Sequence, residues 1–225
     1  MNEQVGVLLL ENTHNKQGRA IEAAETFAPP PRVATVAGAQ SSTLFGARGA
    51  TLINAYAAAA SGLVDEGACL VTANCGFAFQ YQSAVRDRVD VPVALSSLLM
   101  LGMLRQVYGH RIGVLTYDAT TLRNFASSID GWPAGDALAL CDVQGSPAWD
   151  ELEHPTPITM NLEAMEADLL SRAGQFVTGH DLQALLLECT AMFLFKRRLE
   201  ERLGVRCYDL IDLVEFIRGP GSATG

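Results

Sequence analysis

Two cysteines stand in settings that suit acid/base chemistry. In Val71-Thr72-Ala73-Asn74-Cys75-Gly76-Phe77 an apolar β-type run delivers a thiol, and a helix-type stretch follows. In Leu185-Leu186-Leu187-Glu188-Cys189-Thr190-Ala191 the same design recurs. A residue between a strand and a helix faces the unpaired N–H groups at the positive end of the helix dipole. Those groups offer donors to an anion and are expected to lower the pKa of a thiol beside them. Asn74 adds a side-chain amide, and Gly76 lets the backbone approach a ligand closely. Thr190 can cap the following helix or bind a carboxylate through its hydroxyl.

Cys69, Cys141 and Cys207 sit inside apolar runs and read as small packed hydrophobes. The five cysteines form no CxxC pair, and none of the four histidines has metal-ligand spacing, so no metal site is expected. A disulfide framework does not suit a cytosolic chain of this size. His14 can reach the same cleft as the two thiols, whereas His110 marks a turn and His154 and His180 read as loop residues. Glu11 and Asn12, at the end of the first strand, either bind a substrate amino group or form a solvated turn.

The elements that must position these residues alternate. Strands are expected over 5–10, 32–36, 68–72, 91–95, 111–116, 137–143, 183–188 and 205–208. Helices are expected over 49–66, 77–88, 97–108, 119–127, 162–176 (capped by Asn161), 191–203 and 209–217. Short strands between longer helices imply βαβ units and a mainly parallel α/β architecture. The strands are apolar on both faces, as a sheet covered on both sides requires. The stretch 145–157 reads as an acidic surface loop, 28–32 as a stiff proline turn, and 219–225 as a frayed tail.

A weak internal repeat runs through this pattern. Val5-Gly6-Val7-Leu8 resembles Ile112-Gly113-Val114-Leu115. Cys75 follows Gly6 by 69 residues, and Cys189 follows Gly113 by 76. Two pseudo-symmetric α/β lobes would each carry one cysteine at the carboxyl end of an equivalent strand, where open α/β sheets bind ligands. The first lobe is read as residues 1–96 plus 205–225, the second as 97–204.

Composition narrows the partners. The chain has 225 residues, 49% of them hydrophobic, and a net charge of −9. Such an acidic protein repels phosphate backbones, so nucleic acid is not an expected partner. No apolar run is long enough for a membrane span, and the first residues lack the basic n-region of a secretory signal. A cytoplasmic protein without membrane partners is the expectation.

VTANCGF and LLLECTAM, with HRIGVLTYDATTL between them, resemble the aspartate/glutamate/hydantoin racemase superfamily, in particular aspartate/glutamate racemase family proteins. VDVPVALSSLLM and CYDLIDLVEFI also sit where that family has similar segments, so the resemblance covers nearly the whole chain from about Ala68 onward. It implies two lobes with the active site between them, Cys75 and Cys189 flanking a substrate α-carbon, no pyridoxal phosphate or other cofactor, and a homodimer. By the same resemblance Asn74, Gly76, Phe77 and Thr190 hold the substrate carboxylate, the glycine and phenylalanine through backbone N–H. Thr116 and Thr120 are further donors, although Thr116 reads equally as an ordinary strand-end residue.

The sequence departs from the family after the first strand. Where relatives carry a stretch of the form RIPGDxxNxxTF, this chain has residues 16–27, and only Thr26-Phe27 match well. The family's asparagine falls on Ala23, which leaves substrate identity open. Three functions follow from these readings. The first is a racemase or epimerase of a small amino acid or related carboxylate. The second is a maleate-isomerase-like or arylmalonate-decarboxylase-like enzyme on the same scaffold. The third is a non-catalytic carboxylate-binding protein.

Overall fold

The structure, a computed structural model, describes residues 4–44 and 49–219. The predicted tail, residue 219 apart, lies outside that set. Eight strands, β1 (Val5–Leu9), β2 (Arg32–Thr35), β3 (Leu70–Ala73), β4 (Val93–Ala94), β5 (Ile112–Thr116), β6 (Ala139–Asp142), β7 (Ala184–Leu187) and β8 (Arg206–Tyr208), form two four-stranded sheets. Their orders are β2-β1-β3-β4 and β6-β5-β7-β8, and every pairing is parallel. The inner strands β3, β5 and β7 are buried along their whole length, as their unbroken apolar sequences anticipate.

The helices are α1 (Ser41–Leu44), α2 (Ile53–Asp65), α3 (Gln82–Arg86), α4 (Leu101–Tyr108), α5 (Ala119–Asn124), α6 (Pro147–Asp150), α7 (Leu162–His180), α8 (Lys196–Leu203) and α9 (Leu210–Arg218). Asn161 caps α7 by accepting from Ala164 N, as expected. Asp209 and Asp212 close a capping box on α9.

The internal repeat is structural. Gly6 pairs with Val71 and Gly113 with Leu185, at matching places in the two sheets. Both glycines admit close packing of the covering elements. A Cβ on Gly6 would meet the Ala68 Cβ at 3.0 Å, and one on Gly113 would meet Leu182 and Phe176 at 2.6 Å. Each cysteine lies two residues beyond the inner strand, β3 or β7, that pairs with the glycine-bearing strand.

Three expectations need correction. Residues 77–88 and 191–203 are not single α-helices. Each begins as a tighter 3₁₀ segment, Gly76–Tyr81 or Thr190–Phe195, whose first bond returns to the carbonyl of the preceding cysteine: Ala78 N to Cys75 O at 3.0 Å and Met192 N to Cys189 O at 2.9 Å. The stretch 145–157 is not simply a surface loop. It contains α6, and fully buried Trp149 anchors it by donating from Nε1 to Met165 O at 3.2 Å. Finally, β8 belongs to the second sheet, because Cys207 pairs with Leu185, so the chain crosses to the first sheet at Asp209 rather than at Val205. Beyond it α9 packs on β3 and β4, while α4, which follows β4, packs on β5. Each half therefore supplies a helix to the other.

Candidate active site

The turns after β3 and β7 face a shared cavity of about 50 Å³ at the seam of the two sheets. Cys75, Gly76 and Phe77 line it from the first lobe, and Glu188, Cys189 and Thr190 from the second. Asn12 and Asn74 line it too, together with Thr13, His14, Lys16, Ser41, Tyr117 and Leu152. The structure thus brings together seven of the nine residues that the sequence selects: Cys75, Cys189, Asn12, Asn74, Gly76, Phe77 and Thr190.

Thr116 and Thr120 are not among the lining residues. Thr116 is fully buried and spends its hydroxyl on Glu188, donating from Oγ1 to Oε2 at 2.7 Å. Thr120 lies on the exposed side of α5, while its neighbours Ala119 and Thr121 are buried.

The polar lining is tied to the fold. Asn74 accepts from Leu10 N at 3.1 Å and donates from Nδ2 to Thr13 Oγ1 at 2.9 Å, which fixes the turn after β1. Asn12 is 1% exposed and donates from Nδ2 to His154 O at 3.0 Å and Leu152 O at 3.3 Å. It therefore clamps the segment that follows α6 and is not a solvated turn. An isolated β-bridge between Asn15 and Thr159 extends this clamp, with Asn15 N donating to Ile158 O at 2.8 Å. His14 is buried as well. Its Nε2 faces Leu152 O at 3.0 Å and its Nδ1 accepts from Ile158 N at 3.3 Å, which defines a neutral ring. Burial lowers its pKa from 6.5.

The thiols are not acidified, contrary to the expectation from their strand-end positions. Burial first, and then the Glu188 carboxylate, push Cys75 up to about 12. Backbone N–H groups of Phe77 and Ala78 and the Lys16 ammonium pull the other way without prevailing. Cys189 is raised further by burial, Glu188 and Cys75 in that order. Desolvation of a thiolate outweighs a few backbone dipoles here. Cys189 also senses the charge of Cys75, which lines the same cavity.

Sequence reasoning did not select Lys16 or Glu188 as site residues. Lys16 is 8% exposed, lines the cavity and pairs with Glu22 Oε1 at 3.5 Å. It comes from the stretch that departs from the family pattern, where no periodicity marks an inward residue. Glu188 does carry a signal: it is a carboxylate ending a four-residue apolar strand. It is 1% exposed and packs against Gly76, where a Cβ would lie 2.1 Å from Glu188 O and 2.3 Å from Oε1. Only glycine allows the two cysteine turns to approach this closely. Among the described residues no group of three or more His, Cys, Asp or Glu side chains is placed to hold a metal ion, and no helix is long and apolar enough to cross a membrane.

No protein-family model matches the chain. Solved structures share its fold. The allantoin racemase from Klebsiella pneumoniae superposes with a TM-score of 0.70 at 16% identity, over 99% of this chain and 91% of that one. Unliganded arylmalonate decarboxylase gives 0.61 at 16% identity, over 98% and 94%. The glutamate racemase from Francisella tularensis subsp. tularensis SCHU S4, in complex with D-glutamate, gives 0.52 at 15% identity, over 95% and 78%. The chain thus shares its two-sheet fold with these two racemases and this decarboxylase. Among curated proteins, a dimethylsulfoniopropionate lyase from Durusdinium sp. clade D is 28% identical over 166 residues, 69% of this chain. The match spans about half of that relative, 54% of its length.

Proposed function

We propose that the chain is a cofactor-independent racemase or epimerase of a small amino acid or related carboxylate, with Cys75 and Cys189 as opposed acid/base thiols. One observation carries this reading: two cysteines from equivalent turns of two pseudo-symmetric sheets line a single cavity. One thiolate removes the α-proton. The other thiol delivers a proton to the opposite face, and the roles exchange for the reverse direction. Raised thiol pKa values suit this task, since a carbon beside a carboxylate is a very weak acid and needs a strong base. Burial supplies that base strength by desolvation. Thr190, Lys16 and the backbone around Gly76 and Phe77 are the groups available to a substrate carboxylate, where charge builds in the transition state. The cavity is small. A single water needs about 10–15 Å³ of such space, so about 50 Å³ suits a substrate of few heavy atoms.

The test is a panel of small amino acids and 2-substituted acids in heavy water, with α-deuteration followed by NMR. Exchange is expected for at least one acid, and Cys75→Ser and Cys189→Ser should each lower it by about 10²-fold or more. Full racemisation by Cys189→Ser would reject the two-base scheme.

A second reading is favoured by the likeness to a dimethylsulfoniopropionate lyase. The same α-proton removal from a small carboxylate can be followed by expulsion of a β-substituent. The C–H electron pair becomes the new C=C bond, and the β-substituent leaves with its bonding pair. Such a lyase needs one base rather than two. Dimethyl sulfide released from dimethylsulfoniopropionate, with one cysteine dispensable, would select this reading over racemisation.

A further inference from the structure

The turn Glu188-Cys189-Thr190 holds two buried polar atoms that the protein leaves without hydrogen-bond partners, Glu188 Oε1 and Thr190 Oγ1. Leaving a buried polar group unpaired is costly, and native proteins keep few of them. Both residues line the cavity. The other Glu188 oxygen is already engaged: Oε2 accepts from Thr116 Oγ1 at 2.7 Å and from Tyr117 N at 3.4 Å. Oε1 is therefore the oxygen left for a ligand, and it sits beside Gly76, between the two cysteine turns.

The charges around it decide which form it takes. Cys75 faces Glu188 from the turn after β3, Cys189 is its neighbour, and Asp118 approaches from the turn after β5. Lys16, neutral His14 and Tyr117 line the same cavity. Among the described residues Glu188 has no ion-pair partner. The chemistry proposed above brings a thiolate and a substrate carboxylate into this space, with Lys16 as the lining cation. A third buried anion would be strongly disfavoured.

We propose that Glu188 serves as an uncharged acid whose Oε1–H, together with the Thr190 hydroxyl, donates to the carboxylate of the substrate. This rests on reading the cavity as a carboxylate site. A buried carboxylic acid kept neutral so that it can donate is established chemistry in another enzyme. Burial pushes Glu188 up to about 7, while the bonds from Thr116 and Tyr117 pull it down and Asp118 adds a smaller upward push. Binding should therefore weaken as pH rises through neutrality. Burial lowers His14 from 6.5, away from that range.

The experiment is calorimetric titration of propionate, malonate and succinate into wild type, Glu188→Gln, Glu188→Ala and Thr190→Val between pH 5.5 and 8.5, with circular dichroism to verify folding. Wild type should bind with constant affinity at the acid end and lose about tenfold per pH unit above about 7. Glu188→Gln keeps a donor and cannot ionise, so its affinity should stay level. Glu188→Ala and Thr190→Val should bind about tenfold more weakly at pH 6. The proposal is overturned by an equal alkaline loss in Glu188→Gln, by affinity that rises with pH (an ionised Oε1 accepting from a cation), or by no binding of any of the three acids at pH 6. The two readings separate cleanly. Carboxylate binding with this pH dependence but no α-deuteration retires the racemase and keeps the acid. Racemisation whose pH profile is unchanged in Glu188→Gln does the reverse.

Discussion

At the scale of single residues, Glu188 links site chemistry to stability. Folding raises its pKa from the usual 4.5 to about 7, chiefly by burial. The native state then holds the proton more tightly than the unfolded chain does. Stability is greatest below about pH 4.5 in this respect and is lost as pH rises to about 7, where the loss levels off. Such a shift corresponds to roughly 3 kcal/mol. Urea unfolding at pH 5 and pH 8 should show a smaller pH difference in Glu188→Gln than in wild type. The same charge bears on the thiols. Cys75 lies near 12 partly because of Glu188, so alkylation of Cys75 by iodoacetamide should be faster in Glu188→Gln than in wild type at pH 9. At pH 5.5, where the wild-type Glu188 is protonated and so as uncharged as the glutamine, the rates should agree. Gly76 makes a third prediction. A methyl there would collide with the Glu188 carbonyl at 2.1 Å. Gly76→Ala should therefore abolish ligand binding while retaining a folded circular dichroism spectrum.

Secondary-structure elements were the part most legible in the sequence. β-runs such as 112–116 and 184–187 are continuous and apolar, and the Asn161 cap marks a helix start that the structure keeps. The repeated glycine-bearing strands foretold the two matching sheets. What failed to show was governed by distant partners. No local pattern reveals that Trp149 pins the segment after α6. Strand-end cysteines read as acidic because local dipoles are visible in sequence and desolvation is not. Lys16 carries no local signal for the same reason: it is buried at a cavity lined by residues distant in sequence. Two element-level tests follow. Gly113→Ala pushes a methyl to within 2.6 Å of Phe176 and Leu182, so it should destabilise by about 1–3 kcal/mol in urea unfolding. Asn12→Ala removes the clamp on Leu152 and His154, so hydrogen exchange should accelerate over residues 151–160 more than elsewhere.

Across the whole molecule, the exchanged helices bind the halves to a shared fate. Leu210 and Val214 of α9 complete the cluster of Val5, Val7, Leu70 and Ala94 beneath the first sheet. Leu101 and Leu104 of α4 join the larger core with Ile112 and Val114 of β5. A fragment ending near residue 109 would strand α4 without its sheet and strip the first sheet of α9. Neither such fragment should fold by itself, whereas the two produced together should reassemble into a species with native thermal unfolding. Any gene encoding this architecture would thus be penalised for losing either half.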